Sequence, residues 1–374
     1  MTRFPDDAVT PASDGADPAR PATGPVDRCR DGRASGPMRV VPFDELGAAE
    51  LDAWHGLRAA NPALDSPYFH PGFSAAVHAS GRAVHVAVAT DGGTGAGALL
   101  AHHRDGRTLR PVGWPGADFQ GPVLAAGTSF RPLDLLSGGA TAFTFDHLVE
   151  QAPGFAPWVI SSRPSPYLDV TGGLQGYLGR ASRSGKDNMG QARRRAAKAG
   201  REHGPIRFEA DSADPEALAR VIELKRAQYA ATGAADHFAE PDRIRLLESL
   251  LRTRDGSFGG VLSTLRAGPT LLAAHFGLRA GGVLHWWFPV YDPAFARLSP
   301  GWMLLRELVE AAPALGVTRI DLGRGEDEYK RRAKTGETRV LQGVVTRNPL
   351  RRAAASAMTR ARSFARSVRT RTQP

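Results

Sequence analysis

The segment 319–334, "RIDLGRGEDEYKRRAK", places carboxylates, a tyrosine and a lysine directly after a strand-like apolar pattern. Loops at strand ends are where rigid scaffolds carry chemistry, although an ordinary surface turn has a similar composition. Asp321 and Glu326 are candidate general bases. A carboxylate beside glycines is also a turn former, and Glu326 can instead favour a helix start. Lys330 can bind a phosphate or carboxylate, or extend into solvent.

His285, within "VLHWWF", is a third candidate base because histidine titrates near neutral pH. Strand alternation predicts that His285 faces the same side as Trp287, while Trp286 and Phe288 face the other side. A core histidine with satisfied hydrogen bonds is the alternative. Asp321, Glu326 and His285 therefore remain three open choices.

The run "SPGWM" at 299–303 predicts an anion site at the start of a helix that Ser299 can cap. Free backbone N–H groups and the helix dipole favour a pyrophosphate there. Ser299, Gly301 and Trp302 are the candidate cofactor-binding residues, through their backbones, and Gly301 allows close approach. The alternative is that Ser-Pro-Gly is only a good helix start.

A basic run at 185–201, "GKDNMGQARRRAAKAGR", has two interpretations. Lys186, Arg193 and Arg194 can hold a phosphorylated or acidic acceptor, because guanidinium groups suit phosphate and carboxylate. Alternatively these are solvated helix charges. That is how we interpret the neighbouring Arg195, Lys198 and Arg201.

The net charge of +10 belongs mostly to the carboxyl-terminal tail. Residues 347–374 contain eight arginines and no acidic residue, whereas residues 38–346 contain 35 basic and 32 acidic residues. This nearly balanced body argues against a nucleic-acid-binding core. The tail is expected to be solvated or disordered, or to lie as a helix on an anionic membrane surface.

The composition is that of a globular protein with room for two domains, since the chain has 374 residues, 42% of them hydrophobic and 23% charged. The sequence contains no run of roughly 20 apolar residues and no secretory signal. Its single cysteine, Cys29, excludes an internal disulfide and a cysteine-built zinc site. No other metal-ligand spacing is seen, and we expect a cytoplasmic protein without a metal.

The pattern predicts a disordered segment over 1–37, with six prolines, and a first domain over 38–176. In that domain residues 131–152 are expected to hold helices whose limits the pattern does not set, and a hairpin turn is expected at 91–94. The helices are predicted at 44–61 and 70–80, and the strands at 38–43, 83–90, 95–104, 108–113, 121–125, 157–164 and 166–172.

A second domain is predicted over 177–346, followed by the tail 347–374. Asp214 and Pro215 predict a helix start, with Leu218, Val221, Ile222 and Leu224 facing inward. A helix at 240–252 is predicted to bury Ile244, Leu247, Leu250 and Leu251. An antiparallel meander is predicted at 259–268, 270–281 and 282–292, followed by a helix at 299–312, a strand at 317–325, a helix at 326–334 and a strand at 338–347.

This order of elements resembles the GNAT superfamily of N-acyltransferases. Three stretches are similar to its CelD/BcsL type, which is associated with cellulose or exopolysaccharide biosynthesis: "SRSGKDNMGQARRRAAKAG", "VYDPAFARLSPGWMLLRELVEAA" and "IDLGRGEDEYKRRAK". The chain lacks the Arg/Gln-x-x-Gly-x-Gly/Ala pyrophosphate loop of many GNAT enzymes. The resemblance covers residues 177–346 and is weaker over residues 38–176.

The resemblance implies an α+β fold of two GNAT-like domains in tandem, each with a mixed, mostly antiparallel sheet flanked by helices. It implies that Tyr329 protonates the departing thiolate, whereas a tyrosine packed on the core is the alternative. It further implies transfer of an acyl group from acetyl-CoA or another acyl-CoA to an amine or hydroxyl of a sugar-, polysaccharide- or metabolite-type acceptor. Two alternatives are a tRNA-dependent aminoacyl-transferase of the peptidoglycan cross-bridge type and a non-catalytic scaffold.

Overall fold

A computed structural model describes residues 38–90, 95–253 and 255–371. The segment predicted to be disordered, 1–37, and the hairpin turn predicted at 91–94 lie outside the described residues. Along the part of the chain that is described, no helix has both the length and the apolar composition needed to cross a membrane.

The first half of the chain alternates short helices with strands, largely as its hydrophobic pattern predicts. Its helices are α1 (Ala48–Ala59) and α2 (Pro71–Ala79), and its strands are β1 (Arg39–Pro42), β2 (His85–Thr90), β3 (Ala96–Asp105), β4 (Thr108–Pro111), β5 (Val123–Leu124), β6 (Ala142–Val149) and β7 (Val159–Asp169).

The prediction of helices within 131–152 was wrong for Ala142–Val149, which form β6, whereas Pro132–Leu135 form a short 3-10 helix. Phe143 and Phe145 are two residues apart and are both buried in the same apolar cluster. This two-residue period is typical of a strand and not of a helix. The period was therefore present in the sequence and was misinterpreted.

The two strands predicted at 157–164 and 166–172 form one continuous strand, β7, which contains Pro164 and Pro166. A proline inside a sheet removes one N–H donor. On the side of the sheet that faces the segment after Asp321, the Pro164 carbonyl accepts a hydrogen bond from the Gly325 N–H. The Pro166 carbonyl accepts one from the Leu322 N–H. The neighbouring segment donates hydrogen bonds to the proline carbonyls and requires no N–H from the prolines. The strand is therefore not interrupted.

The second half begins with two helices, α3 (Gly173–Arg180) and α4 (Arg183–His203), and a short edge strand that the pattern did not predict, β8 (Ile206–Glu209). The predicted order then follows: α5 (Pro215–Thr232), α6 (Pro241–Arg252), β9 (Phe258–Ala267), β10 (Thr270–Ala280), β11 (Val283–Tyr291), α7 (Pro300–Ala311), β12 (Arg319–Asp321), α8 (Glu328–Ala333) and β13 (Gly336–Thr346).

The predicted start of α5 is confirmed. Asp214 Oδ1 accepts a hydrogen bond from the Glu216 backbone N–H, at 2.9 Å, and so satisfies a donor that the helix leaves free. The four residues predicted to face inward on α5 are all buried. On α6 the three predicted leucines are buried, whereas Ile244 is only partly buried.

The strands form one continuous sheet in the order β1-β2-β3-β4-β6-β13-β7-β12-β11-β10-β9-β8, with β5 paired to β3. Among the described strands only β4–β6 and β11–β12 pair in parallel. The chain therefore has the predicted α+β fold, with a mixed, mostly antiparallel sheet flanked by helices.

The two halves exchange strands at the middle of this sheet. Strand β13 of the second half lies between β6 and β7 of the first, and β7 lies between β13 and β12. As a result, a first-half strand directly borders β12. This exchange brings first-half side chains to the end of β12.

The tail is helical where it is described, since α9 spans Pro349–Arg371. Its first turn is bound to the sheet: Arg351 donates to Thr141 Oγ1 and Thr108 Oγ1, at 3.0 and 2.7 Å. The guanidinium of Arg352 lies 5.7 Å from the ring centre of Trp158. The expectation of a wholly solvated or disordered tail was wrong for this turn, because these arginines have acceptors and an aromatic ring on the first-half sheet.

Candidate functional site

A cavity of about 520 Å³ opens where the parallel strands β11 and β12 separate. Their pairing covers three residues and ends at His285 opposite Asp321. Beyond this point β11 continues to Tyr291, whereas the chain after β12 turns toward the first half. The cavity walls include Trp286, Val290, Leu304, Leu305 and Leu322, and its rim includes Asp118, Lys225, Ser299, Gly301, Trp302, Tyr329 and Lys330.

A β-bulge in β11 shapes one wall of this cavity. Phe276 pairs with Phe288 and Leu278 with His285, so two residues, Trp286 and Trp287, face one residue of β10. The extra residue breaks the alternation. The prediction that Trp286 and Phe288 share a face was wrong, since Trp286 packs in the cluster beneath α7 whereas Phe288 packs in the cluster beneath α5 and α6.

Asp118 is a carboxylate that lines the cavity, and it comes from a loop of the first half. Its Oδ2 lies 3.0 Å from His285 Nε2, and its Oδ1 lies 3.2 Å from His147 Nε2. His147 Nδ1 in turn lies 2.8 Å from Asp146 Oδ1. Both ring nitrogens of His147 thus lie within hydrogen-bond distance of a carboxylate oxygen, and an ionised carboxylate is an acceptor.

This environment sets the charge of Asp118. Burial alone would raise the pKa of the carboxyl, but the His285 hydrogen bond and the charges of His147 and Lys330 hold it well below its usual range. The Asp118 side chain is 26% exposed, whereas His285 is fully buried. Asp118 is thus an ionised carboxylate that lines the cavity and is held in place by contacts with His285 and His147.

Gly323 makes this approach of Asp118 possible. Its φ is +72°, and a Cβ on it would lie 2.3 Å from Asp118 Oδ2. The neighbouring Arg324 donates from Nη1 to the Asp146 carbonyl, at 2.8 Å. The "DLGRG" part of the sequence motif therefore docks the second half onto the Asp118 loop and β6.

Lys330 and Tyr329 lie on the other side of the same turn. The Lys330 amino group donates to the carbonyls of Arg324 and Gly323, at 3.0 and 3.3 Å, and lies 3.6 Å from Asp327. Lys330 is buried, so it does not extend into solvent. Burial raises the pKa of Tyr329, as do the charges of Asp327 and Asp118. Tyr329 is therefore a neutral proton donor at physiological pH.

Lys225 of α5 also borders the cavity. Burial, with a smaller contribution from the Lys330 charge, lowers its pKa to about 8, while Asp327 opposes the shift. Its Nζ donates to Gln228 Oε1 at 3.0 Å and to the Pro289 carbonyl at 3.4 Å. This amine therefore loses its proton at a lower pH than an ordinary lysine does.

The start of α7 also lines the cavity. The prediction that the Ser299 side chain caps this helix was wrong. Ser299 has a left-handed backbone, with φ 50°, and its Oγ instead accepts a hydrogen bond from Arg195 Nη1 at 2.6 Å. The predicted anion-site residues Ser299, Gly301 and Trp302 do line the cavity. A Cβ on Gly301 would meet no atom within 4 Å, so this position is open.

The other predicted residues lie elsewhere. Asp321 is buried and binds Arg319, whose Nη atoms also bind Asp65 at 2.6 and 2.7 Å. Glu326 is exposed. Asp321 and Glu326 are not among the cavity-lining residues, and His285 reaches the cavity only through Asp118. The predicted acceptor-binding residues Lys186, Arg193 and Arg194 are exposed on α4 and do not line the cavity.

Sequence reasoning missed Asp118, His147, Lys225 and Arg195. Asp118 is 167 positions from His285, in a loop without a periodic pattern, so no local signal identified it. Arg195 was interpreted as a solvated charge, but it faces α7. Within the described residues, no group of three or more His, Cys, Asp or Glu side chains is placed to hold a metal ion.

Comparison with known proteins places this site in a known fold. Residues 187–331 match the model of the acetyltransferase (GNAT) domain. No curated protein sequence matches the chain. The C-terminal domain of a putative lysylphosphatidylglycerol synthetase from Agrobacterium fabrum is similar in structure, with 13% identity, a TM-score of 0.50, and coverage of 83% of this chain and 95% of that chain.

FemX is also similar, with 9% identity, a TM-score of 0.54, and coverage of 82% of this chain and 96% of that chain. A tandem GNAT protein from the clavulanic acid biosynthesis pathway has 12% identity, a TM-score of 0.48, and coverage of 83% and 99%. At such identities these likenesses concern the fold. The matched GNAT domain contains α7, β12 and the Tyr329–Lys330 pair.

Proposed function

We propose that this chain is an acyltransferase of the GNAT superfamily that transfers an acyl group from an acyl-CoA to an amine or hydroxyl of a sugar-, polysaccharide- or metabolite-type acceptor. The observation that carries the proposal is the cavity at the separation of β11 and β12. Its lining includes both the start of α7 and the ionised carboxylate of Asp118. Such a cavity can hold a thioester between an anion site and a nucleophile site.

The donor end is the start of α7. The helix dipole and the free N–H of Gly301 favour a diphosphate, and Arg195 adds a guanidinium at Ser299. Apolar residues, among them Leu304 and Leu305, line the passage inward and suit the uncharged arm of the donor. The bulge interrupts the pairing of β11 with β10 beside the cavity, and we expect a backbone amide there to bind the thioester carbonyl.

The acceptor end is Asp118. A carboxylate whose pKa is held low is a weak base, so its role is to bind and orient the nucleophile rather than to remove its proton. A neutral amine or a hydroxyl group donates a hydrogen bond to it. The two histidines keep its oxygens in place, which positions the nucleophile beside the thioester.

Proton transfer falls to Lys225 and Tyr329. A neutral lysine has two N–H donors and one lone pair, and Gln228 and Pro289 accept from Nζ. The lone pair remains for the proton that leaves the nucleophile. Tyr329 then donates its hydroxyl proton to the departing thiolate. The products are the acylated acceptor and the free thiol of CoA, and transfer of the proton from Lys225 to Tyr329 restores both side chains.

Calorimetric titration with acetyl-CoA, longer acyl-CoAs and CoA tests the donor class. We expect micromolar binding that weakens about tenfold in Arg195→Gln, because one charge-assisted contact is lost. Arg201→Gln is the matched control, since Arg201 is an exposed arginine on the same helix. Absence of binding by the whole set refutes the acyl-CoA proposal.

A second candidate is transfer of an aminoacyl group from charged tRNA. Two observations favour it: the chain lacks the common GNAT pyrophosphate loop, and it shares its fold with FemX and the lysylphosphatidylglycerol synthetase domain. Titration with aminoacyl-tRNA and with uncharged tRNA separates the two candidates. A role in cellulose or exopolysaccharide synthesis and a cytoplasmic location remain predictions.

A further inference from the structure

A second cleft, of about 430 Å³, is lined by arginines and lies outside the donor cavity. We name it the arginine cleft. It lies between the ends of first-half strands and the first turn of α6, and its lining includes Arg82, Arg104, Arg110, Arg243, Asp105 and Trp114. None of these residues lines the donor cavity.

The positive charge of the arginine cleft is only partly neutralised. Arg110 lies 3.3 Å from Asp105, whose side chain is 70% exposed. Within the described residues no carboxylate oxygen lies within 4.0 Å of Arg82 or Arg243. Asp242 attracts Arg82 from a greater distance. Two of the guanidinium groups are thus without a close counter-ion in the described part of the chain.

This crowding is unfavourable unless an anion is present. Burial lowers the pKa of Arg82; Asp242 opposes the shift, while the charges of Arg243 and Arg110 add to it. Arg243 also lies in the first turn of α6, where the helix dipole is positive. Its Nε is buried without a hydrogen-bond partner. A negatively charged ligand would relieve the repulsion between these guanidinium groups.

The arginines are held in place before any ligand arrives. Arg82 donates to the Trp114 carbonyl, and Arg243 Nη1 donates to the His237 carbonyl at 2.7 Å. The Arg110 guanidinium lies 5.0 Å from the ring centre of Trp114. Guanidinium groups that are already held in place lose little conformational entropy when a ligand binds. Their paired N–H donors match the spacing of phosphate oxygens.

We propose that the arginine cleft binds the phosphate or diphosphate group of a small molecule, at a site separate from the donor cavity. Trp114 and Asp118 belong to one loop and are four residues apart, so their Cα atoms are separated by at most about 14 Å. The proposal rests on the charges and contacts of the cleft. The proposal for the arginine cleft therefore does not depend on the identity of the acyl donor.

Titration with inorganic pyrophosphate at constant ionic strength tests the proposal on the full chain. We expect saturable binding that weakens at least tenfold in Arg110→Gln and in Arg243→Gln. Arg107→Gln is the matched control, because Arg107 is an exposed arginine near Arg110 that does not line the cleft. Arg195→Gln separates this site from the start of α7, and we expect it to retain pyrophosphate binding at the cleft.

Three outcomes overturn the proposal: no saturable binding, an equal loss in Arg107→Gln, or a loss confined to Arg195→Gln. The last outcome would assign the pyrophosphate to the donor cavity. Circular dichroism and thermal unfolding of each variant show whether it is folded. Arg110→Lys provides a second test, because lysine keeps the positive charge but lacks the paired N–H donors of the guanidinium group. It should weaken pyrophosphate binding less than Arg110→Gln does.

Discussion

Replacing Asp118 by asparagine removes one negative charge from between His285 and His147. Asparagine keeps one acceptor oxygen, so one of the two histidines loses its partner. A hydrogen bond to a charged group contributes about 1.5–3 kcal/mol. Because Asp118 is 26% exposed, water replaces part of the loss, and we expect the free energy of unfolding to fall by about 2 kcal/mol.

The expected change in melting temperature follows from the size of the protein. With an unfolding entropy of about 2.1 cal/mol/K per residue and roughly 330 described residues, a loss of about 2 kcal/mol lowers Tm by about 3 °C. Thermal and urea unfolding at pH 7 measure it. Once an acceptor is identified, its KM should be higher for Asp118→Asn than for the wild type, while the affinity for the donor stays unchanged.

The effect of Asp118 on stability also depends on pH. Its folded-state pKa lies below the unfolded value of about 3.9, so its contribution is complete above that value and is lost as pH falls toward the folded pKa. The stability difference between wild type and Asp118→Asn should therefore shrink below about pH 4.

The control for Asp118→Asn is Asp52→Asn, an equal charge change at an exposed position of α1. We expect no measurable change in its stability or acceptor KM. Equal unfolding free energies for wild type and Asp118→Asn at pH 7 would refute the bridging role of the carboxylate. An unchanged acceptor KM would refute its role in binding the nucleophile.

Three further substitutions test the neighbouring groups. Gly323→Ala should lower the free energy of unfolding by about 1–3 kcal/mol in urea titrations and raise the acceptor KM, because φ is +72° and the new Cβ would displace Asp118; unchanged values contradict this. Lys225→Met should abolish the rise of kcat/KM with pH near 8 and raise Tm at pH 7, because the folded state binds the lysine proton less readily than the unfolded state; a retained pH dependence excludes Lys225 as the base. Tyr329→Phe should lower kcat about 10²-fold with donor affinity intact, and an unchanged kcat removes Tyr329 from the mechanism.

The strand exchange explains why both halves of the chain are needed for one site. Asp118 and His147 belong to the first half, whereas His285, Lys225 and Tyr329 belong to the second. The interleaving of β7 and β13 fixes these residues against one another. Neither half therefore presents the complete carboxylate–histidine arrangement alone.

Local sequence signals were sufficient to predict most elements of the second half, although not β8. These signals are the Asp214–Pro215 helix start, the meander and the Ser-Pro-Gly junction before α7. They depend on neighbouring residues, which is why they can be recognised without knowledge of the fold. The same local reasoning failed at the β11 bulge, where the register with β10 changes the face of each later residue.

Which polar residues meet at the site depends on the assembled fold. Asp321 and Glu326 were candidate bases because they fall in the stretch that most resembles the family motif, but Asp321 pairs with Arg319 and Glu326 is exposed. Asp118 reaches His285 across 167 positions, through a strand exchange that no short-range pattern records. The physical reason is that side-chain chemistry at this site depends on burial and on partners from the other half, and both arise only when the sheet is assembled.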